Sequence, residues 1–204
     1  FAAERYDVHV TGISPAGEQV AVARERTVSL PVRIEQLDYR DVDAVQMGRF
    51  DRITSIGMME HVGPKNLRTF FDACRSLLDP AGMMLHHTIG SNDWRTHGDP
   101  WFDRYIFPGG VLPSLGQIAR ASEEYWSIED VHNFGPDYDT TLMAWHGNLA
   151  DRWAEIPHYD ERFRRTWDYY LQGSAAGFRS RSLQLWQVVF TPSRQRRETY
   201  RSVR

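Results

Sequence analysis

The stretch Phe50 to Gly63, FDRITSIGMMEHVG, narrows what this chain can fold into more than any other. Ile53, Ile56, Met58 and Met59 make a short apolar run that needs cover on both faces, as a central strand of a parallel sheet does. Glu60 and His61 follow just past its carboxyl end, the edge at which open α/β sheets bind their ligands. Two ionisable groups there point to a functional site; the competing reading is that Glu60 simply caps the helix that begins at this turn.

The flanking segments predict the rest of the sheet. Tyr6 to Ile13 has the β-branched content of a strand, and SPAGEQVAVARERT reads as a helix capped by Ser14. Val32 to Leu37 is a second strand, closed by the polar turn Asp38, Tyr39, Arg40, Asp41. Phe50 to Met58 is the third. Asn66 to Leu78 predicts an amphipathic helix with Leu67, Phe70, Phe71, Cys74 and Leu77 on one side, stopped by Pro80 and Gly82. Met83 to Thr88 is the fourth strand. The order strand, helix, strand, strand, helix, strand implies a doubly wound α/β sheet, mostly parallel.

After Ile89 the texture changes. Gly90 to Pro113 is rich in Gly, Pro and aromatics and too long for an ordinary connection, so it reads either as a functional lid or as an irregular covering segment. Ser114 to Glu124 predicts a helix capped by Ser114, and Tyr125 to Val131 a strand. Thr140 to Ile156 and Glu161 to Ala176 are helical patterns separated at Pro157, and Leu185 to Thr191 is a closing strand, expected to run antiparallel. No repeat or linker divides the 204 residues, which predicts a single domain with an aromatic-rich insertion at about 90–113.

Composition excludes several functions. A net charge of −3 argues against general nucleic-acid binding, and the eight histidines show no HExxH or paired Cys/His spacing, so no metal site is expected. Cys74, the only cysteine, sits in a helical pattern where it packs as a small apolar residue. No stretch approaches the roughly 20 apolar residues that span a bilayer, and the start lacks the order of a signal peptide, so the expected location is cytoplasmic. Ser193 to Arg204 holds five Arg and one Glu; it is either a solvated terminus or a segment that touches an anionic membrane surface. The first strand, finally, is not followed by the glycine-rich turn of a nucleotide-binding sheet. The chain is therefore a different α/β domain, or one without its first unit.

FDRITSIGMMEHVGPKN, LHHTIGSNDW, DPWFDRYIFPGG, HNFGPDYDTTLMAW and LQLWQVVF, read in that order, closely resemble the cyclopropane-fatty-acyl-phospholipid synthases, with mycolic acid cyclopropane synthases as more distant relatives. The resemblance runs from about Tyr6 to Phe190. It implies a Rossmann-like class I methyltransferase fold without its amino-terminal domain, its first central strand and its Gly-rich S-adenosylmethionine loop. It also implies the activity: methyl transfer from S-adenosylmethionine to a cis double bond of a phospholipid acyl chain, followed by proton loss and ring closure. An alkene is a weak nucleophile, so the transfer must generate a cation in a water-free pocket, where aromatic faces such as Trp101, Tyr105 and Phe107 contribute about 2 kcal/mol each.

As base the resemblance implies a bound bicarbonate, held by Glu60, His87, the backbone of Ile89 and Tyr138; the family's cysteine at that site lies upstream and is not replaced by Cys74. Neighbours on a strand face opposite sides, so only one of His86 and His87 lines a given pocket, and by motif position that is His87. Read without the resemblance, Glu60 with His61 is a simple acid/base pair and His87 a satisfied strand histidine. For S-adenosylmethionine the resemblance points to Gly12, Ser14, Pro15 and Gln19, to Asp38, Tyr39 and Arg40 near the adenine, and to Ile56 and Gly57 under the methionine part. Implied partners are a membrane phospholipid, transient contact with the inner face of the membrane, and a homodimer. Two other readings stay open: a related lipid methyltransferase giving branched or hydroxylated chains, and an inactive fragment or subunit that needs a partner to complete its sheet.

Overall fold

In the computed structural model, which describes residues 1–194 and 199–202, backbone pairing sorts the strands into two groups. β1 (Val10–Ser14) and β2 (Val32–Gln36) pair in parallel as a two-stranded sheet. β3 (Phe50–Ile56), β4 (Leu78–Ser91), β6 (Leu183–Pro192) and β5 (Trp126–Asn133) form a four-stranded sheet in that order. β3 and β4 are parallel, and β6 runs against both of its neighbours. The doubly wound, mostly parallel sheet with one antiparallel closing strand is thus observed, with the closing strand inserted between β4 and β5.

Helices cover both faces of the larger sheet. α5 (Leu67–Leu77) and α7 (Leu115–Ser122) lie over Phe70, Phe71, Met84, Trp126 and Phe190. α8 (Gly135–Asp151) and α9 (Glu161–Arg179) enclose Leu142, Leu171, Phe178 and Leu185 on the opposite face. Cys74 is buried with the first group, and burial pushes its thiol up to about 12, so it packs as an apolar residue.

Several boundaries differ from the sequence reading. Ala2–Tyr6 is a short helix, α1, and the first strand starts at Val10. Ser14 belongs to β1, its hydroxyl accepting from Ala16 N at 3.2 Å, while α2 (Gly17–Arg26) begins after Ala16. α8 starts at Gly135, five residues earlier than its apolar periodicity indicated, because Pro136 suits a first helical turn and marks no break there. β4 is longer than its apolar run because Leu78 pairs with Phe50 before the register slips.

The largest correction concerns β3. Its expected cover on both faces is absent: Asp51, Arg52 and Thr54 are exposed and Ile56 is 68% exposed. Among the described residues β1 pairs only with β2 and β3 only with β4, so β3 is an edge strand and its outer side lies open.

The segment 90–113 contains α6 (Pro100–Tyr105), capped by Asp99, whose carboxylate accepts from Trp101 N and Phe102 N. Its return crosses β4 closely: a Cβ at Gly90 would strike the Trp186 ring and the Pro113 carbonyl, and Ser91 N donates to Pro113 O at 3.0 Å. The predicted cap at Ser114 is present as a full capping box with Gln117. The buried Gln117 amide also holds the 90–113 segment, accepting from Ser114 N (2.9 Å) and Arg95 N (3.4 Å) and donating to Arg95 O (2.9 Å). Gln117→Ala leaves these backbone groups unpaired and is expected to destabilise by about 1–3 kcal/mol. Limited proteolysis should then cut within 92–98 well before the core; unchanged cleavage would contradict this role.

Candidate active site

Gly57 ends β3. Its φ of +62° is the left-handed turn that glycine adopts freely, and its N–H still donates to His87 O at 3.0 Å. The chain then enters α4 (Met59–Val62), while β4 runs on past the pairing of Ile56 with His87. The next ladder donor, Ile89 N–H, would be left without a strand partner. Glu60 supplies one: its Oε1 accepts from Ile89 N at 2.8 Å. Glu60 is therefore no helix cap but a side-chain substitute for the missing ladder acceptor.

This geometry leaves Glu60 half engaged. The residue is 8% exposed, and its second oxygen, Oε2, is buried with no protein partner. A buried carboxylate oxygen without a donor is costly, so the position is built to receive one. The Glu60 carbonyl accepts from Val111 N at 2.8 Å, which fastens the 90–113 segment directly to the same residue.

The two histidines separate as strand geometry requires. His86 is fully buried in the first core, with Phe70 at 5.7 Å and Phe71 at 6.4 Å, and burial pushes it down to about 3. His87 is half-buried on the other face, its ring 5.6 Å from Phe134 and its Nδ1 3.4 Å from Gln187 Nε2. Burial lowers the pKa of His87, and the nearby Glu60 carboxylate works against that shift. Tyr138 stands on α8 over the same face, packed on Phe178 at 5.3 Å and Trp145 at 6.3 Å and bordering the cluster that Ile89 also borders. Glu60, His87 and Ile89 are thus together, with Tyr138 on the covering helix; the Ile89 amide is already committed to Glu60.

The other predicted positions line the carboxyl ends of β1, β2 and β3. Ser14 Oγ donates to Gln19 Oε1 at 3.2 Å, with Gly12 one turn of the pleat earlier and Pro15 exposed beside them. Asp38 and Arg40 close on each other: the carboxylate accepts from Arg40 N (2.9 Å), Nε (2.8 Å) and Nη2 (2.8 Å), and these bonds hold it down to about 2. Tyr39 sits against Phe70 at 5.8 Å and forms part of the core wall. Ile56 and Gly57 make an open ledge at the end of β3, and a Cβ on Gly57 would meet nothing within 4 Å.

The aromatics of the 90–113 segment divide. Phe107 is in contact with the His61 ring (5.9 Å) and with Tyr170 (5.9 Å), so His61 is an exposed surface residue touching Phe107, and Phe107 lies close to the Glu60 turn. Trp101 lies further out, with Tyr169 at 4.4 Å and Tyr105 at 5.5 Å. The Arg104 guanidinium covers one face of Tyr105 at 5.4 Å. Gln187, Phe134, Tyr169 and Tyr170 were not legible as site residues: Gln187 is 100 positions from His87 and no local pattern connects them.

A doubly wound sheet with its polar groups gathered at the carboxyl ends of the strands, and helices on both faces, is the Rossmann-like fold of class I S-adenosylmethionine-dependent methyltransferases. Within that class the chain belongs to the mycolic acid cyclopropane synthetase family, whose description matches residues 1–188. It is 50% identical over 192 residues to the cyclopropane-fatty-acyl-phospholipid synthase of Escherichia coli, covering 94% of this chain and 49% of that protein. It is 33% identical to a tuberculostearic acid methyltransferase of Mycobacterium tuberculosis, covering 88% of this chain and 44% of that one. The crystal structure of a mycolic acid cyclopropane synthase complexed with SAH and CTAB superposes with a TM-score of 0.81 at 27% identity, covering 93% of this chain and 72% of the other. The chain spans about half the length of the curated relatives it matches.

Proposed function

We propose that this chain carries the methyl-transfer site of a cyclopropane-fatty-acyl-phospholipid synthase, acting on the cis double bond of a phospholipid acyl chain with bicarbonate as the base. The observation that carries this reading is Glu60 Oε2, a buried carboxylate oxygen without a donor, set between the end of β3, His87 and the lid.

Bound S-adenosylmethionine supplies an electrophilic methyl group. The open ledge at Ile56 and Gly57 fits its methionine part, and Gly12, Ser14, Pro15 and Gln19, with Asp38, Tyr39 and Arg40, are the residues that would hold the rest. Glu60 Oε2 fits the hydroxyl of bicarbonate, which supplies a base when bound. His87 and Tyr138 are the side chains that would donate to it. The Ile89 amide serves by fixing the Glu60 carboxylate, leaving Oε2 as the free acceptor. The Val111 to Glu60 bond holds the lid over this point and excludes water, which a cationic acyl chain requires. Phe107 and Trp101 offer ring faces to that positive charge, whereas Tyr105 already lies under Arg104.

Membrane phospholipid as substrate fits the exposed Tyr105 and Tyr169, which flank Trp101, with Arg104 over Tyr105, a mixture suited to contact with an anionic interface on the inner face of the membrane. No helix among the described residues is long and apolar enough to cross a bilayer. Of Ser193 to Arg204, for which membrane contact is one of two readings, six of the twelve residues lie outside the described ones.

A second reading, transfer that ends in a methyl-branched chain, is favoured by the likeness to the tuberculostearic acid methyltransferase. Chromatography with mass spectrometry of lipids from cells expressing the whole gene separates the two. Ring-containing acyl chains are expected, and branched or hydroxylated chains without rings would overturn the proposal. Among the described residues the outer edges of β1 and β3 face no strand, so the isolated chain either recruits a strand from another chain between them or binds S-adenosylmethionine poorly. By titration calorimetry the isolated 204 residues should bind S-adenosylmethionine poorly; tight one-to-one binding by a stable monomer would refute this.

A further inference from the structure

Ile56, His87, Gln187 and His132 stand side by side across β3, β4, β6 and β5, so their side chains share one face of the sheet at one level. Gln187 separates the two imidazoles, and Phe134 packs on both, 5.6 Å from His87 and 5.0 Å from His132. The Gln187 amide nitrogen lies 3.4 Å from His87 Nδ1. With the amide in this orientation its nitrogen donates, and the ring nitrogen facing it presents a lone pair. The single proton of a neutral His87 then resides on Nε2, at the other edge of the ring.

We infer that Gln187 is a positioning residue that holds His87 as its Nε2–H tautomer, so that His87 meets the Glu60 pocket as a hydrogen-bond donor and not as a proton acceptor. This rests on the reading of Glu60 and His87 as one site. It divides the labour there: the acceptor is Glu60 Oε2, the donor is His87 Nε2–H, and a small hydroxylated anion has both functions met. A carboxylate at position 187 would undo this by accepting from Nδ1–H and stabilising the imidazolium. The neutral amide avoids that, and burial of His87 acts in the same direction. The titratable groups around His87 are Glu60 from the turn into α4, His132 on β5, and Tyr138 and Tyr170 from the helices covering this face; His86 points to the opposite face.

The test is a long-range proton–nitrogen NMR correlation on the full chain labelled at histidine, with His87 assigned by the signal lost in His87→Asn. The wild-type ring is expected to show the Nε2–H pattern above its titration midpoint. Gln187→Glu should convert it to Nδ1–H and raise the midpoint by about one pH unit or more. Gln187→Met, which has similar shape and no amide, should leave a mixture of tautomers. An Nδ1–H ring in the wild type overturns the inference without any variant being needed, and so does a tautomer indifferent to Gln187→Glu and Gln187→Met. If the tautomer is as expected but His87→Asn leaves turnover of the intact enzyme unchanged, the positioning holds and the catalytic reading of the site fails.

Discussion

Glu60→Gln is expected to lower turnover by about 10²- to 10⁴-fold while leaving S-adenosylmethionine affinity within about two-fold, the scale of loss that follows when the base is no longer held in place. The structure makes this substitution unusually specific. The glutamine oxygen can still accept from Ile89 N–H as Glu60 Oε1 does at 2.8 Å, so the end of β4 keeps its cap. Its amide nitrogen then stands where Oε2 stood, presenting a donor in a buried place that held an acceptor. Glu60→Ala, by contrast, orphans the Ile89 amide and is expected to cost about 1–3 kcal/mol of stability as well. Steady-state kinetics of the intact enzyme with calorimetric titration of the methyl donor checks this. A loss of donor affinity matching the loss of turnover would assign Glu60 to the cofactor instead of to the base.

His86→Leu should flatten the dependence of stability on acid. His86 is fully buried with neither ring nitrogen partnered, and its pKa falls from an ordinary 6.5 to about 3. Between those values the unfolded chain takes up a proton that the native chain does not. Stability therefore falls as pH drops below 6.5, by about 1.4 kcal/mol per unit, until the native residue also protonates near the lower value. At pH 4.5 the contribution is about 3 kcal/mol, which corresponds to roughly 6 to 12 °C in Tm for a chain of this size. Leucine removes the titrating group from a site walled by Phe70 and Phe71. Thermal melts followed by circular dichroism from pH 7 to 4 should show the wild type losing stability faster than the variant. Parallel curves would mean that other groups govern the acid response. Carboxylates common to both proteins cancel in the difference.

Much of the fold was written in local pattern. The amphipathic helix over Leu67–Leu77, the capping box at Ser114 and the apolar strands β4 and β6 follow from periodicity and cap chemistry, which act over a few residues. The two-residue period of a strand separated His86 from His87, and the position of His87 in the family motif chose between them. The motifs that resemble the cyclopropane synthases supplied Glu60, Ile89 and Tyr138 as candidates, but not what each does for the others. That Glu60 caps the Ile89 amide depends on where β3 turns away from β4, a relation across 29 positions. The exposure of Ile56 was illegible for a related reason: an apolar run signals burial, and only the pairing pattern shows which side has a neighbour.

By itself, then, the sequence determined the class of sheet and which strand ends in Glu60, because those are set by short-range periodicity and turn chemistry; the candidate site residues came from the motifs that resemble the family. The tertiary structure alone decided which oxygen of Glu60 remains free, that Gln187 faces His87, and that the lid is fastened to Glu60 by its backbone. Each of these depends on groups far apart in the chain meeting at hydrogen-bond distance, and nothing local encodes such a meeting.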